Sequence, residues 1–225
     1  MQITLAHAVQ SAVQPTPNVQ EVAAMFGVGI DQDRLIQIIP NTKLNLEPSR
    51  LIFITGASGS GKSTILRLIR DQLNHQEQTR VLDFDALPAI DEKPLVDAFP
   101  NRPLKQTLRL LSLAGLNDAF VMLRTPTQLS DGQRYRLRLA QAMAMVEARV
   151  LPNQLQIILA DEFCATLDRV TAKALARNVR KWVTRTKVCF IAATTHDDLL
   201  ESFAPDTLID KQLGEHLELI EKAVQ

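Results

Sequence analysis

The densest chemistry in the chain lies at Gly56-Ala57-Ser58-Gly59-Ser60-Gly61-Lys62-Ser63, which fits the spacing G-x-x-x-x-G-K-S without a gap. Glycine is scarce, eight in all, so three within six residues mark a turn that side chains would obstruct. Such a turn can aim successive backbone N–H groups inward as a nest for an anion. A helix starting directly after it adds free N–H donors and the positive end of its dipole. Lys62 can then reach terminal phosphates, while Ser63, followed by Thr64, is placed to hold Mg2+. The chemistry implied is that of a nucleoside triphosphate.

That chemistry needs a strand before the glycines and a helix after them, and both are legible. Leu51 to Thr55 is an apolar, β-branched run of the kind a buried parallel strand shows. Ser63 to Leu73 places Ile65, Leu66, Leu68, Ile69 and Leu73 at helical spacing. Further strands are expected at Thr79 to Phe84, which ends in acidic residues, at Leu155 to Ala160, which runs into Asp161-Glu162, and at Lys187 to Ala193, which runs into Thr194-Thr195-His196. A helix is expected from Arg169 to Thr184. Alternating strands and helices predict an α/β domain with a mainly parallel sheet, where ligands gather at the carboxyl ends of the strands. The polar residues ending these strands should therefore converge.

A phosphate loop alone leaves several enzyme classes open. The Asn-Lys-x-Asp motif by which GTPases read their base is absent. Leu129-Ser130-Asp131-Gly132-Gln133, followed by a helical pattern through Ala140, narrows the choice. It resembles the L-S-G-G-Q signature of ATP-binding cassette (ABC) ATPases. Taken locally, the same residues also read as a helix N-cap with a capping turn.

The resemblance extends in order along the chain. Asp161-Glu162 looks like a Walker B aspartate followed by the catalytic glutamate, Ala165-Thr-Leu-Asp168 resembles the D-loop, and His196 resembles the switch histidine. His7, His75 and His216 read as structural or exposed. The resemblance implies ATP and Mg2+ as ligands and a P-loop NTPase fold with a short helical signature subdomain. It implies that Ser63 and Asp161 hold the metal and that Glu162 acts as general base with Lys62 and His196. It also implies a head-to-tail homodimer, in which Ser130, Gly132, Gln133 and Asp168 of one chain meet the ATP held by the loop of the other.

Several positions depart from the family pattern. Asp131 stands where the signature has glycine, and Phe163-Cys164 replaces the common Pro-Thr. Phe26 is the candidate adenine-stacking aromatic, expected on an early strand, with a plain core phenylalanine as the other reading. The Q-loop glutamine has no clear match. Arg134, Arg136 and Arg138 read either as support for the signature helix or as a patch for nucleic acid or a protein partner.

Composition sets the outer limits. Lys+Arg 25 balance Asp+Glu 25, which removes an overall basic surface as an argument for nucleic-acid binding. Hydrophobic residues at 46% and charged residues at 22% suit a globular chain. No apolar run approaches a membrane span, residues 1–20 lack the pattern of a secretory signal, and two cysteines make no disulfide framework. The chain is thus expected to be cytoplasmic. Residues 1–20 are expected as an arm or edge strand and 21–225 as the ATPase domain. A helical subdomain is expected at about 93–147, and a hairpin around Gly214 followed by a short helical end. What ATP turnover drives stays open between a soluble, non-transport ATPase, the nucleotide-binding subunit of a transporter, and an ATP-gated assembly switch.

Overall fold

A computed structural model describes residues 1–10, 13–30, 35–148 and 153–222 of the chain. Its centre is a six-stranded sheet in the order β4-β5-β6-β3-β7-β8. The strands are β3 (Leu51–Thr55), β4 (Thr79–Asp83), β5 (Leu155–Ala160), β6 (Cys189–Ala193), β7 (Thr207–Lys211) and β8 (Leu217–Glu221). All neighbours run parallel except the β7–β8 hairpin. β6 lies between β5 and β3, so the chain leaves three adjacent strands, toward Asp161, Thr194 and Gly56, at one edge.

Both faces of the sheet are covered, which is why its inner strands read as continuous apolar runs rather than alternating ones. Leu51 and Phe53 point into one core and Ile52 and Ile54 into the other, as the two-residue period of a strand requires. On the first face lie the helices α3 (Leu104–Leu113), α4 (Ala119–Met122), α5 (Asp131–Ala148) and α6 (Arg169–Thr186), with α7 (Leu200–Phe203). On the second lie α2 (Lys62–Leu73), through Ile65, Ile69 and Leu73, and a separate two-stranded antiparallel ribbon of β1 (Gln2–Gln10) and β2 (Leu35–Asn45).

Among the described residues between β4 and β5 every regular element is helical, including the expected subdomain region. The boundary expected at residue 20 falls inside α1 (Pro17–Phe26), which Thr16 caps by accepting from the Val19 N–H and which Gly27 ends at φ 62°. β2 escaped the sequence reading because Pro40 and the polar run after it break the alternation. A ribbon strand with one free edge tolerates that proline. The hairpin around Gly214 forms, but the short helical end expected after it is strand β8, because Leu217–Glu221 pairs back along the whole of β7; residues 223–225 lie outside the described residues.

Phe163, directly after Glu162, packs against Phe190 at 5.7 Å and Phe203 at 5.3 Å, and Phe53 meets Phe203 at 5.2 Å. This cluster sits beneath the turn that follows β5. Phe203→Ala is expected to cost about 3–5 kcal/mol of stability, the range for a buried aromatic truncation. Urea unfolding monitored by circular dichroism would show it as a lowered midpoint, and an unchanged midpoint would mean that the cluster does not stabilise the fold.

Candidate functional site

The glycine loop leaves β3 and enters α2, whose N-cap is Gly61 at φ 107°. A Cβ at Gly56 (φ 139°) would lie 1.9 Å from the carbonyl oxygen of Lys211 at the end of β7, so only glycine lets the loop start there. Lys62, 5% exposed, folds back so that its Nζ donates to the carbonyls of Gly56 (2.9 Å) and Ala57 (2.8 Å). Ser60 Oγ is buried without a hydrogen-bond partner among the described residues. A buried hydroxyl left unpaired is costly. An orphaned donor within a cradle that side chains would fill fits a phosphate.

A cavity of about 290 Å3 opens beside the loop, lined by Ser63, Thr64, Arg67, Asp83, Asp85 and Asp161 among others. Ser63 and Asp161 present hard oxygen donors to one space, which fits Mg2+. Among the described residues no three His, Cys, Asp or Glu side chains gather into a metal site. An ion here would therefore rely on nucleotide phosphate oxygens, as Mg2+ commonly does.

Asp83 and Asp85 were not among the residues singled out from the sequence, although the acidic end of their strand was visible. Asp83 is engaged: it pairs with Arg70 at 3.0 Å and accepts the Asp85 N–H. Partial burial, then the neighbouring charges of Asp83 and Asp161, raise the Asp85 carboxyl above its usual range.

Glu162 sits at φ 44° and Cys164 at φ 61°, left-handed conformations that non-glycine residues rarely hold. Three hydrogen bonds impose them. The Glu162 N–H donates to Asp161 Oδ1 (2.9 Å), the Phe163 N–H to the Ala193 carbonyl (2.8 Å), and the Cys164 N–H to the Tyr135 hydroxyl (2.9 Å). The exposed Glu162 carboxylate is thereby lifted off the strand end. Burial pushes the Cys164 thiol up to about 12, so it stays a neutral packing group. His196 follows β6, with its N–H on Thr194 Oγ1 at 3.2 Å.

The signature residues lie elsewhere on the surface. Ser130 Oγ accepts the Gln133 N–H (3.3 Å) while Gln133 Oε1 accepts the Ser130 N–H (3.0 Å), a reciprocal capping box at the start of α5. The local helix-cap reading is therefore realised in the structure. Gly132 backs onto the next loop: a Cβ there would lie 3.2 Å from Leu167 Cδ2. Asp168 caps α6 by accepting the Thr171 N–H (2.9 Å), and the Thr171 hydrogen bonds hold its carboxyl below the usual range. Neither Ser130, Gly132, Gln133 nor Asp168 lines the cavities beside the glycine loop.

Phe26 is corrected in position. It ends helix α1 rather than lying on a strand, is 77% exposed, and lines an apolar groove with Val22, Ala23 and Val28 that includes no glycine-loop residue. The core-phenylalanine alternative fails on the same exposure.

The three arginines after Gln133 are occupied. Arg134 donates to the Leu129 carbonyl and pairs with Asp131, Arg136 donates to the carbonyls of Gly132 and Gly115, and Arg138 donates to those of Phe84 and Asp85. Asp131, the departure from the signature, is thus the ion-pair partner of Arg134. Through Tyr135, whose ring meets Phe84 at 5.1 Å, and through Arg138, α5 ties the acidic end of β4 to the turn carrying Glu162.

Two measurements follow from this geometry. Gly56→Ala should abolish nucleotide binding in a fluorescent-ATP titration. Gly59→Ala meets nothing within 4 Å and should lose only the ~1–2 kcal/mol of left-handed strain; equal losses would contradict the loop packing. Tyr135→Phe leaves the buried Cys164 N–H unpaired, and should cost about 1–3 kcal/mol in denaturant unfolding while lowering turnover more than ATP affinity.

A family profile described as "ABC transporter" matches residues 39–165. The probable syringafactin export ATP-binding/permease protein SyfD of Pseudomonas syringae is 32% identical over 200 residues, covering 74% of this chain and 28% of its own length. The sulfate/thiosulfate import ATP-binding protein CysA of Synechococcus elongatus is 28% identical over 193 residues, covering 72% of this chain and 50% of its own length. The chain thus spans half or less of these two relatives. An uncharacterized ABC transporter ATP-binding protein of Methanocaldococcus jannaschii, MJ0796, is 30% identical over 185 residues, covering 66% of this chain and 75% of its own. The dimeric structure of the MJ0796 cassette superimposes with a TM-score of 0.58 at 23% identity, covering 84% of this chain and 93% of that one. A post-hydrolysis dimer of MJ0796 bound to ADP and Pi gives 0.56 at 22% identity, with the same coverage.

Proposed function

The chain belongs to the ABC transporter family and is an ATP-hydrolysing cassette, and from that premise we propose that two copies close head to tail around two ATP molecules to drive a soluble, non-transport process. The observation that carries the pairing is the separation within one chain. The start of α5 and the loop to Asp168 pack against each other through Gly132 and Leu167, away from the cavity of Ser63 and Asp161. An anion-binding helix start that does not face its own glycine loop is suited to complete the site of a second chain. The MJ0796 cassette has been solved as a dimer, which agrees with this arrangement.

Each residue then has a task. The loop amides and Lys62 hold the phosphates and offset the charge that builds up on them during transfer. Glu162, held clear of the strand end, accepts a proton from the attacking water. His196, at the end of the neighbouring strand, orients the terminal phosphate. Ser63 and Asp161 are the residues that would hold Mg2+, which when bound supplies charge neutralisation at the phosphate oxygens. Ser130 and the first amides of α5 close the site from the partner copy.

Two features support the non-transport reading. The chain between Lys62 and Ser130 is short, and the Q-loop glutamine has no clear match in it. The second reading, a transporter's nucleotide-binding subunit, is favoured by relatives whose names assign them to import or export. Among the described residues no helix is long and apolar enough to cross a membrane. The reading places the chain in the cytoplasm, working with a protein partner. Arg134, Arg136 and Arg138 all donate to the protein's own backbone carbonyls, which favours a protein partner over nucleic acid.

Lys62→Ala should abolish turnover by the purified chain, and Glu162→Gln should accumulate an ATP-bound dimer in size-exclusion chromatography with light scattering. A Glu162→Gln chain that stayed monomeric at saturating Mg-ATP would overturn the pairing. Steady-state hydrolysis should be indifferent to single- or double-stranded DNA at low salt, where phosphate-backbone binding is strongest. Hydrolysis that appears only with a membrane subunit in lipid would favour the transporter reading.

A further inference from the structure

Lys211 is wholly buried, yet it ends a strand whose other inward residues are Thr207 and Ile209. Its ammonium donates to the carbonyls of Gln212 and Gly214 (2.5 and 2.6 Å) in the β7–β8 turn, and it has no carboxylate partner among the described residues. Burial alone lowers its pKa. A lysine without a counter-ion in a protein interior is expensive, and a methionine or leucine of similar size would fill the space at less cost. The position of Lys211 gives a reason for tolerating it. Its backbone carbonyl meets Gly56 at the start of the glycine loop, and its Cε lies 3.8 Å from where a Gly61 Cβ would be, at the N-terminus of α2. The side chain thus runs beneath the loop from its first glycine to its last.

We propose that Lys211 is a second, internal cation of the phosphate site, a fixed positive charge held behind Gly61 by the hairpin carbonyls, which strengthens anion binding in the loop above it. The proposal rests on the reading of the glycine loop as the ATP phosphate site. Lys62 answers the phosphates from the loop itself and is free to exchange the Gly56 and Ala57 carbonyls for them. Lys211 acts through the protein, and its effect scales with the charge of whatever occupies the loop. It is a positioning and electrostatic residue, and no step of the hydrolysis passes through it.

The test separates this role from a structural one, because the two predict opposite signs. Lys211→Met keeps the length of the side chain and removes the charge. The carbonyls of Gln212 and Gly214 are at exposed positions and can turn to water. Without nucleotide the variant should unfold at a denaturant midpoint equal to or above that of the wild type. Its ATP affinity, by isothermal titration, should fall about tenfold, its ADP affinity less, and adenosine binding not at all. A lower midpoint with unchanged ATP affinity would make Lys211 a structural residue and overturn the proposal, as would equal losses for ATP and adenosine. Wild-type protein with 13C-labelled lysine gives an answer even if the variant fails to fold. The Lys211 Cε resonance should shift with ATP and with ADP and stay still with adenosine, and a resonance indifferent to all three would overturn the proposal. Lys62→Ala is the control for the parent reading: ATP binding untouched by that change would sink the assignment of the loop, whatever Lys211 does.

Discussion

Only a glycine fits at position 56, because a Cβ there would penetrate the carbonyl of Lys211. That contact makes the end of β7 the floor on which the phosphate loop is built. β3 pairs with β7 as far as Thr55 and Asp210, so the two strand ends are held together when the loop begins, with Lys211 the next residue. The loop can then curl back over its own lysine, whose Nζ donates to the Gly56 and Ala57 carbonyls, and α2 starts there. Ser60 Oγ, buried and unpaired, is what an anion site leaves when one of its donors finds no partner within the protein.

The order of the sheet brings the other groups to that loop. β5, β6 and β3 are adjacent, so the turns leaving them share one edge, and the Phe163 N–H hydrogen-bonds across to Ala193 at the end of β6. The strained turn at Glu162 and Cys164 is held from two sides, by the β6 backbone and by the Tyr135 hydroxyl of α5. Strain of this kind survives only where surrounding structure over-determines it. α5 contacts both the turn after β5 and the acidic end of β4, so the helix whose start carries Ser130 is mechanically joined to the turn carrying Glu162. In the proposed pair, closure on one chain's signature would be felt at that same chain's Glu162.

The helical region shows how polar residues can be used twice. Ser130 and Gln133 cap α5, and Asp168 caps α6, whether or not a partner is present. A capped helix start keeps its first free amides in a fixed direction, so the structural role prepares the one proposed for the pair. The arginines after Gln133 have a different fate. Each guanidinium donates to a backbone carbonyl, which fastens the signature helix to its surroundings, although Arg134 stays exposed.

The sequence by itself determined the glycine loop, the strand and helix around it, the acidic and histidine strand ends, and the family. These depend on local properties, namely glycine spacing, apolar runs, and the order of short motifs, and local properties survive in a linear string. Tertiary structure alone decided the rest. Phe26 reads from spacing as a stacking aromatic, but helix α1 carries it to an exposed groove. β2 is hidden by Pro40 because only its pairing with β1 makes it a strand. Asp83 and Asp85 join the cavity of Ser63 only because β4 and β5 pair. Lys211 looks like any lysine at a strand end, and its burial beneath the glycine loop follows from the register of β7 against β3. Register is a relation between distant segments, set by which faces must be buried together, and no single segment contains it.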